Sequence, residues 1–287
     1  MNGANPFSWG RLFWNGGSRS ILAWIGAPLC LFAFLLMSAA GVGAQEKRTI
    51  FTENDFHWQG SLKAGQTLEV INRNGDINAN ASGDVARAAG TKRDEDDDKE
   101  LFIEVVEYSD GVTICAVYAK ERTTGRCHRG GVSSESHSWH NHHTKLNFDV
   151  QVPGGVRFKA LTTNGGVHCR DLKSVVEAAT TNGNVEVSTS EWASARTTNG
   201  GVRVAMGKAN WDGELELVTT NGSVDVTLPA SAEFSVRAAT TNGGIHTDFP
   251  VTVQGSFSAK DLSGTVGGGG RELRVATTNG GIELKKS

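Results

Sequence analysis

The tetrapeptide Thr-Thr-Asn-Gly recurs through the second half of the chain, at Asn164-Gly165, Asn182-Gly183, Asn199-Gly200, Asn221-Gly222, Asn242-Gly243 and Asn279-Gly280. A weaker copy, "INRNGDI", places Asn74-Gly75 in the same role. The copies fall roughly twenty residues apart, apart from the last interval, which is close to two repeats and contains "DLSGTVGGGG" from Asp261 where a degenerate corner would fall. A unit that short cannot bury an apolar face on its own. The sequence must therefore fold as like units packed on one another.

The residues around each corner say how. Three and five positions after the asparagine come Val167/Cys169, Val185/Val187, Val202/Val204, Val224/Val226, Ile245/Thr247 and Ile282/Leu284; before it, Phe158/Ala160/Thr162 and Val176/Ala178/Thr180 alternate in the same way. A period of two on both arms is the pattern of strands with one buried face. Asn tolerates the left-handed backbone region and Gly enters it without penalty, so the pair can turn a strand sharply. Two geometries satisfy the alternation. One is a β-solenoid whose corners lie over one another, with threonines and asparagines forming ladders at the ~4.8 Å strand spacing. The other is an antiparallel meander of two-residue Asn-Gly hairpins, with Thr162 opposite Val167. Near-identical corners gain from stacking, whereas hairpin tips need not resemble each other, so the solenoid is the expected fold.

Repeated "NGGV", "NGDI" and "NGGI" after short valine-rich strands resemble the bacterial putative-adhesin domains of the head-GIN type, a family of unknown function. The resemblance covers about Asn72 to Leu284 and implies a right-handed β-helix and an exported, envelope-associated protein. It supplies no active-site residues.

Composition narrows the function classes. With 28 basic and 31 acidic residues and a net charge of -3, the chain lacks the basic footprint of a nucleic-acid binder. Its 36 glycines against 5 prolines suit strand turns and not a linker. Arg11 and Arg19 precede an uncharged run from Ile21 to Met37, and Val42-Gly43-Ala44 offers small or aliphatic side chains to a signal peptidase. Residues 1–44 are thus read as an export signal or, because the run reaches the low end of a membrane span, as an uncleaved inner-membrane anchor. Either way the remainder is expected in the periplasm or cell envelope. Residues 45–151 form an irregular β part with a polar excursion over 120–145, and residues 152–287 the regular solenoid continuous with it. In an exported chain, Cys115 and Cys127 are expected to pair, closing a short loop for roughly 3 kcal/mol.

Candidate chemistry concentrates in that excursion. "CHRGGVSSESHSWHNHH" brings His128, His137, His140, His142 and His143 near Cys127, and imidazoles with a thiolate are ligands of zinc, copper or nickel. No finger spacing is present, and a solvated polar loop with Cys127 held in a disulfide explains the same residues. The acidic run Asp94 to Asp98 lacks the glycine and terminal glutamate of a calcium loop and reads as a charged surface turn. An outward column, His168, Glu186, Arg203, Asp225, His246 and Glu283, alternates in sign over part of its length and suffices as a stabilising ladder. Cys169 fills a slot that valine, threonine or leucine fills in sister repeats, so it is read as core. Trp192 and Trp211 sit in connections, where they either stack on sugar rings or cap the core.

No nucleophile elbow, phosphate loop or zinc-protease motif occurs. The expectation is a non-enzymatic envelope solenoid making protein or glycan contacts, adhesin-like or structural, with no cofactor. The alternatives are a periplasmic metal-binding protein using the histidine loop and a carbohydrate-active β-helix enzyme.

Overall fold

The computed structural model describes residues 46–53, 55–93, 101–118, 125–133, 144–253 and 258–287. The leader with Ile21 to Met37, the acidic run Asp94 to Asp98, and His137, His140, His142 and His143 lie outside these residues. All regular structure among the described residues is β-strand.

Each corner divides two arms that belong to different sheets. Arms before the corner enter a twelve-stranded sheet, and arms after it a ten-stranded sheet. Arg157–Leu161 lies parallel to Thr67–Ile71 on one side and to Val176–Ala179 on the other. Across the corner, Val167–Leu172 lies parallel to Ile77–Ser82 and Val185–Thr189. A meander would pair Thr162 with Val167 in an antiparallel hairpin. Equivalent residues of successive repeats pair instead, Val167 with Val185, Val202 and then Val224 in one line. The fold is a β-solenoid.

The alternation places Phe158, Ala160, Val176 and Ala178 from one sheet against Val167, Val185 and Val187 from the other, all buried in a single continuous core. Burying a valine or leucine stabilises by about 1.5–3 kcal/mol, and each coil adds a few such side chains only because its neighbours cover them.

The corner itself differs from the sequence expectation in its physical cause. No corner asparagine is left-handed; the only described residue other than glycine with positive φ is Asp171, at 52°. Asparagine is there for its side chain. Asn164 Nδ2 donates to Asn74 Oδ1 at 2.8 Å, Asn182 to Asn164 at 2.8 Å, Asn199 to Asn182 at 2.8 Å and Asn221 to Asn199 at 2.8 Å. Asn279 donates to Asn221 at 2.7 Å, and Asn242 to Asn279 at 2.8 Å, completing one ladder along the edge. Glycine follows because coils touch there: a Cβ on Gly200, where φ is +154°, would stand 2.0 Å from the carbonyl oxygen of Gly183. The first threonine of each corner is buried and its hydroxyl satisfies that crowded carbonyl, as Thr219 Oγ1 does for Gly200 at 2.8 Å and Thr180 Oγ1 for Gly165 at 2.8 Å. In the first coil Asn72 takes the threonine's place, donating to Leu146 O at 2.7 Å.

The ends depart from sequence order. Corner Asn221 is followed in space by Asn279, and the coil of Asn242 lies outside that. "DLSGTVGGGG" is accordingly no corner: Asp261–Val266 folds back antiparallel on Phe234–Asn242. The glycines behind it, Gly267, Gly269 and Gly270 at φ of 59°, 73° and 111°, take the left-handed conformations that return the chain. The final coil, Glu272–Asn279 and Ile282–Lys286, is thereby inserted between its two neighbours. Trp211, Phe234 and Phe249 fill this end, and Trp211 Nε1 donates to Glu272 O at 3.0 Å, so Trp211 is core; Trp192 packs partly buried against the same cluster.

At the other end, Gly111–Tyr118 and Lys145–Pro153 extend the two sheets in parallel beyond the first coil. Leu101–Tyr108 and Ala86–Arg93 then pair with them antiparallel, and Lys47–Phe51 and Asp55–Gly60 form the outer edges. Phe51, Phe56 and Phe148 meet edge-to-face at 5.0 and 6.2 Å to plug the core.

Candidate binding cleft beneath the disulfide hairpin

Most strands here bury one face. Gly111–Tyr118 buries both. Its outward Cys115 is joined to Cys127, whose short strand Cys127–His128 pairs antiparallel with Gly131–Val132. This hairpin covers a second apolar cluster of Ile71, Phe102, Val106, Val117 and the disulfide, separate from the main core.

Two buried carboxylates hold the hairpin. Glu104, fully buried, accepts from Gly125 N at 2.7 Å, Cys127 N at 2.9 Å and Arg48 Nη1 at 3.1 Å. Glu69, 3% exposed, accepts from Thr113 Oγ1 and Gly130 N at 3.0 Å each, and Lys159 Nζ lies 3.3 Å away. A buried charge is tolerated only with this degree of pairing. Arg129 extends from the hairpin turn, doubly bonded to the carboxylate of Asp110 and stacked 4.2 Å over the ring of Tyr108. The Arg129 hydrogen bonds hold the Asp110 carboxyl below the usual carboxylate range and raise the guanidinium above its own.

Between hairpin and sheet is a cleft of about 220 Å³, floored by Thr67, Gly111 and Val112 and walled by Arg129, Arg157, Lys159 and Glu177. Lys159 is shared by Glu69 and Glu177, at 3.3 and 3.9 Å. Arg157 lies beside Thr67 in register, next to Gly111 on the far side of that strand. Its guanidinium is exposed and has no ion pair among the described residues, so the cleft presents one guanidinium with its donors open over a floor of small side chains. Such a site can take a carboxylate or another anionic oxygen group through paired N–H donors.

The opposite sheet carries the outward column, in the spatial order His168, Glu186, Arg203, Asp225, Glu283, His246. Glu186 lies 3.4 Å from His168 Nδ1 and 3.9 Å from Arg203, which in turn lies 3.5 Å from Asp225. From Glu186 to Asp225 opposite charges meet, and exposed pairs of this kind contribute about 0–1 kcal/mol each. Beyond it Asp225 faces Glu283 in register, and Glu283 is instead paired with Lys285 of its own strand. His168 and His246 are separated by the coils between them.

Of the histidines proposed as ligands, His128 is described: it is exposed on the hairpin, with Nδ1 3.1 Å from Arg129 O. The Cys127 sulfur is bonded to Cys115 and offers no thiolate. Among the described residues no group of three or more His, Cys, Asp or Glu side chains is arranged to hold a metal ion. Cys169 is buried, and burial pushes its thiol up to about 12, so it is not a nucleophile at neutral pH. The sequence reading overlooked Glu69 and Glu104. Their signal is an acid inside an apolar strand, in "TLEVI" and "LFIEVVEY", where an unpaired carboxylate would be costly.

These features define a parallel β-solenoid with antiparallel caps and an outer hairpin. Residues 143–285 match the family described as Toastrack DUF4097, a domain of unknown function. Among solved structures, it is similar to one described as a "putative cell adhesion protein" from Clostridium sporogenes, 12% identical, with 81% of this chain and 100% of that chain covered and a TM-score of 0.43. A "putative adhesin" from Bacteroides fragilis is 11% identical over 81% of this chain and 97% of its own, with a TM-score of 0.30. No curated protein matches the chain.

Proposed function

We propose that this chain is an exported, non-enzymatic solenoid of the cell envelope that holds an acidic envelope component, a glycan or a protein, in the cleft beneath its disulfide hairpin. The observation that carries the reading is Arg157, an unpaired guanidinium beside the glycine of the cleft floor. Rigid sheet on one side and a covalently tied hairpin on the other favour binding over turnover, since the walls are fixed before a ligand arrives. Export is supported by the charged-then-apolar leader at residues 1–44 and by the Cys115–Cys127 pair, which suits an oxidising compartment. The test is an array of neutral and uronate-bearing glycans, together with envelope protein extract, probed with the chain from Gln45 onward and with Arg157→Glu. Retention of acidic ligands that the substitution abolishes is expected. Equal retention by both proteins, or none by either, would remove the cleft from the account, and release of shortened glycan would overturn the non-enzymatic reading.

A further inference from the structure

The corner that gives the fold its regularity is also a chemically labile dipeptide. In Asn-Gly the glycine nitrogen can attack the asparagine Cγ; a C–N bond forms, the side-chain nitrogen leaves as ammonia, and water opens the resulting succinimide to aspartate or isoaspartate. The reaction needs no reagent but water. It does need a free glycine N–H and an asparagine side chain free to turn toward it.

Stacking engages the glycine N–H at six corners and holds the asparagine amide from both sides at five of them. Gly75 N donates to Asn164 O at 2.7 Å, Gly165 N to Asn182 O at 2.9 Å and Gly183 N to Asn199 O at 2.9 Å. Gly200 N, Gly222 N and Gly280 N donate in the same way to Asn221, Asn279 and Asn242 at 2.9, 2.9 and 3.0 Å. Five of these corners, Asn164, Asn182, Asn199, Asn221 and Asn279, have side-chain amides fixed twice, as donor to one neighbour and acceptor from the next. The far end is sealed as well, since Gly75 packs directly against the carbonyl of Leu146.

Asn242-Gly243 is the exception, because it is the last rung. Asn242 donates to Asn279 at 2.8 Å, but no further asparagine donates to its Oδ1. Gly243 N has no acceptor among the described residues, and both residues are exposed. We infer that Asn242-Gly243 is a site of spontaneous deamidation in the folded protein, and that the remaining corners are protected by the stack.

The product would not be neutral to the fold. Aspartate at this position has no N–H to give Asn279 Oδ1, and isoaspartate lengthens the backbone of the outermost coil. Either change loosens the rung that covers Asn279-Gly280, so Asn279 becomes the next corner to react. Conversion therefore runs inward from one end.

The experiment is peptide mapping by mass spectrometry of the folded full chain, incubated at mildly alkaline pH and sampled over weeks, with a parallel sample in denaturant. Six of the seven corners share the sequence Thr-Thr-Asn-Gly, so the denatured sample should convert those six at similar rates. In the folded sample, Asn242 should convert at least about tenfold faster than any other corner, because the others must first open locally, with Asn279 second. Conversion led by an interior corner such as Asn199, conversion spread evenly over the stack, or an intact Asn242 while the denatured control reacts, would each overturn the inference.

Discussion

Two adjacent glycines should respond oppositely to one added methyl group. A Cβ on Gly200 would lie 2.0 Å from Gly183 O and 2.5 Å from Gly183 C, against backbone that cannot rotate away. Relief requires the coils to separate locally. That stretches Gly183 N to Asn199 O, Thr197 Oγ1 to Gly183 O and Asn199 Nδ2 to Asn182 Oδ1, now at 2.9, 2.9 and 2.8 Å. At about 1 kcal/mol for each hydrogen bond lost, and about 1–3 kcal/mol for the overpacking, Gly200→Ala should cost about 4–6 kcal/mol. Gly201 is different: its nearest neighbour to an added Cβ is Ser223 O at 3.6 Å, and sister repeats carry Asn184 and Ser223 in its place. Gly201→Ala should therefore fall within about 1 kcal/mol of the parent, and the lost backbone freedom of the unfolded chain favours it slightly. Thermal unfolding followed by far-ultraviolet circular dichroism measures both. A domain of this size loses about 2–4 °C per kcal/mol, so Gly200→Ala should melt roughly 10 °C or more lower while Gly201→Ala stays near the parent. Equal midpoints for the two variants would refute the claim that the close coil contact, made at a φ of +154°, selects the glycine.

Two further predictions concern the hairpin and the core. Glu104→Ala leaves Arg48 and the Gly125 and Cys127 amides without their shared acceptor and should destabilise by about 3–5 kcal/mol, with faster hydrogen exchange over residues 125–133 than over Val185–Thr189; unchanged exchange at the hairpin would show that Glu104 does not anchor it. Cys169, with its thiol buried and pushed up to about 12, should resist alkylation in the folded protein at neutral pH and react on unfolding, as read by mass spectrometry; rapid labelling of the native chain would place it outside the core.

The repeat made the architecture legible because its two signals are local. Alternating valines fix which face of each strand is buried, and identical corners favour parallel stacking over a meander. The reason for asparagine was legible only in part: a left-handed turn and a side-chain ladder both call for Asn-Gly, and only the lack of a positive φ at the corner asparagines decides for the ladder. The order of the last coils was hidden. Nothing local to "DLSGTVGGGG" distinguishes a worn corner from a cap strand, since that depends on which edge is open when the glycine run turns the chain back. The cleft was hidden for a similar reason. Arg157 and Lys159 are ordinary outward residues in sequence, and they become a site only where the disulfide lays the hairpin over that one stretch of sheet.

The central claim, that corners stack in parallel and in the order Asn199, Asn221, Asn279, Asn242, is open to a direct measurement of proximity. The exposed threonines preceding each asparagine sit one above another, with Asn279 N donating to Thr220 O at 2.9 Å. Adjacent coils at about 4.8 Å fall within the 4.4–6.8 Å separation that a disulfide accepts, and coils two steps apart do not. Paired cysteines at Thr220→Cys and Thr278→Cys should therefore oxidise to an intramolecular disulfide, detected by non-reducing peptide mapping, while Thr220→Cys with Thr241→Cys should stay unlinked. A bond in the second pair and none in the first would mean that the coils follow the order of the sequence, and the stacking described here would be wrong.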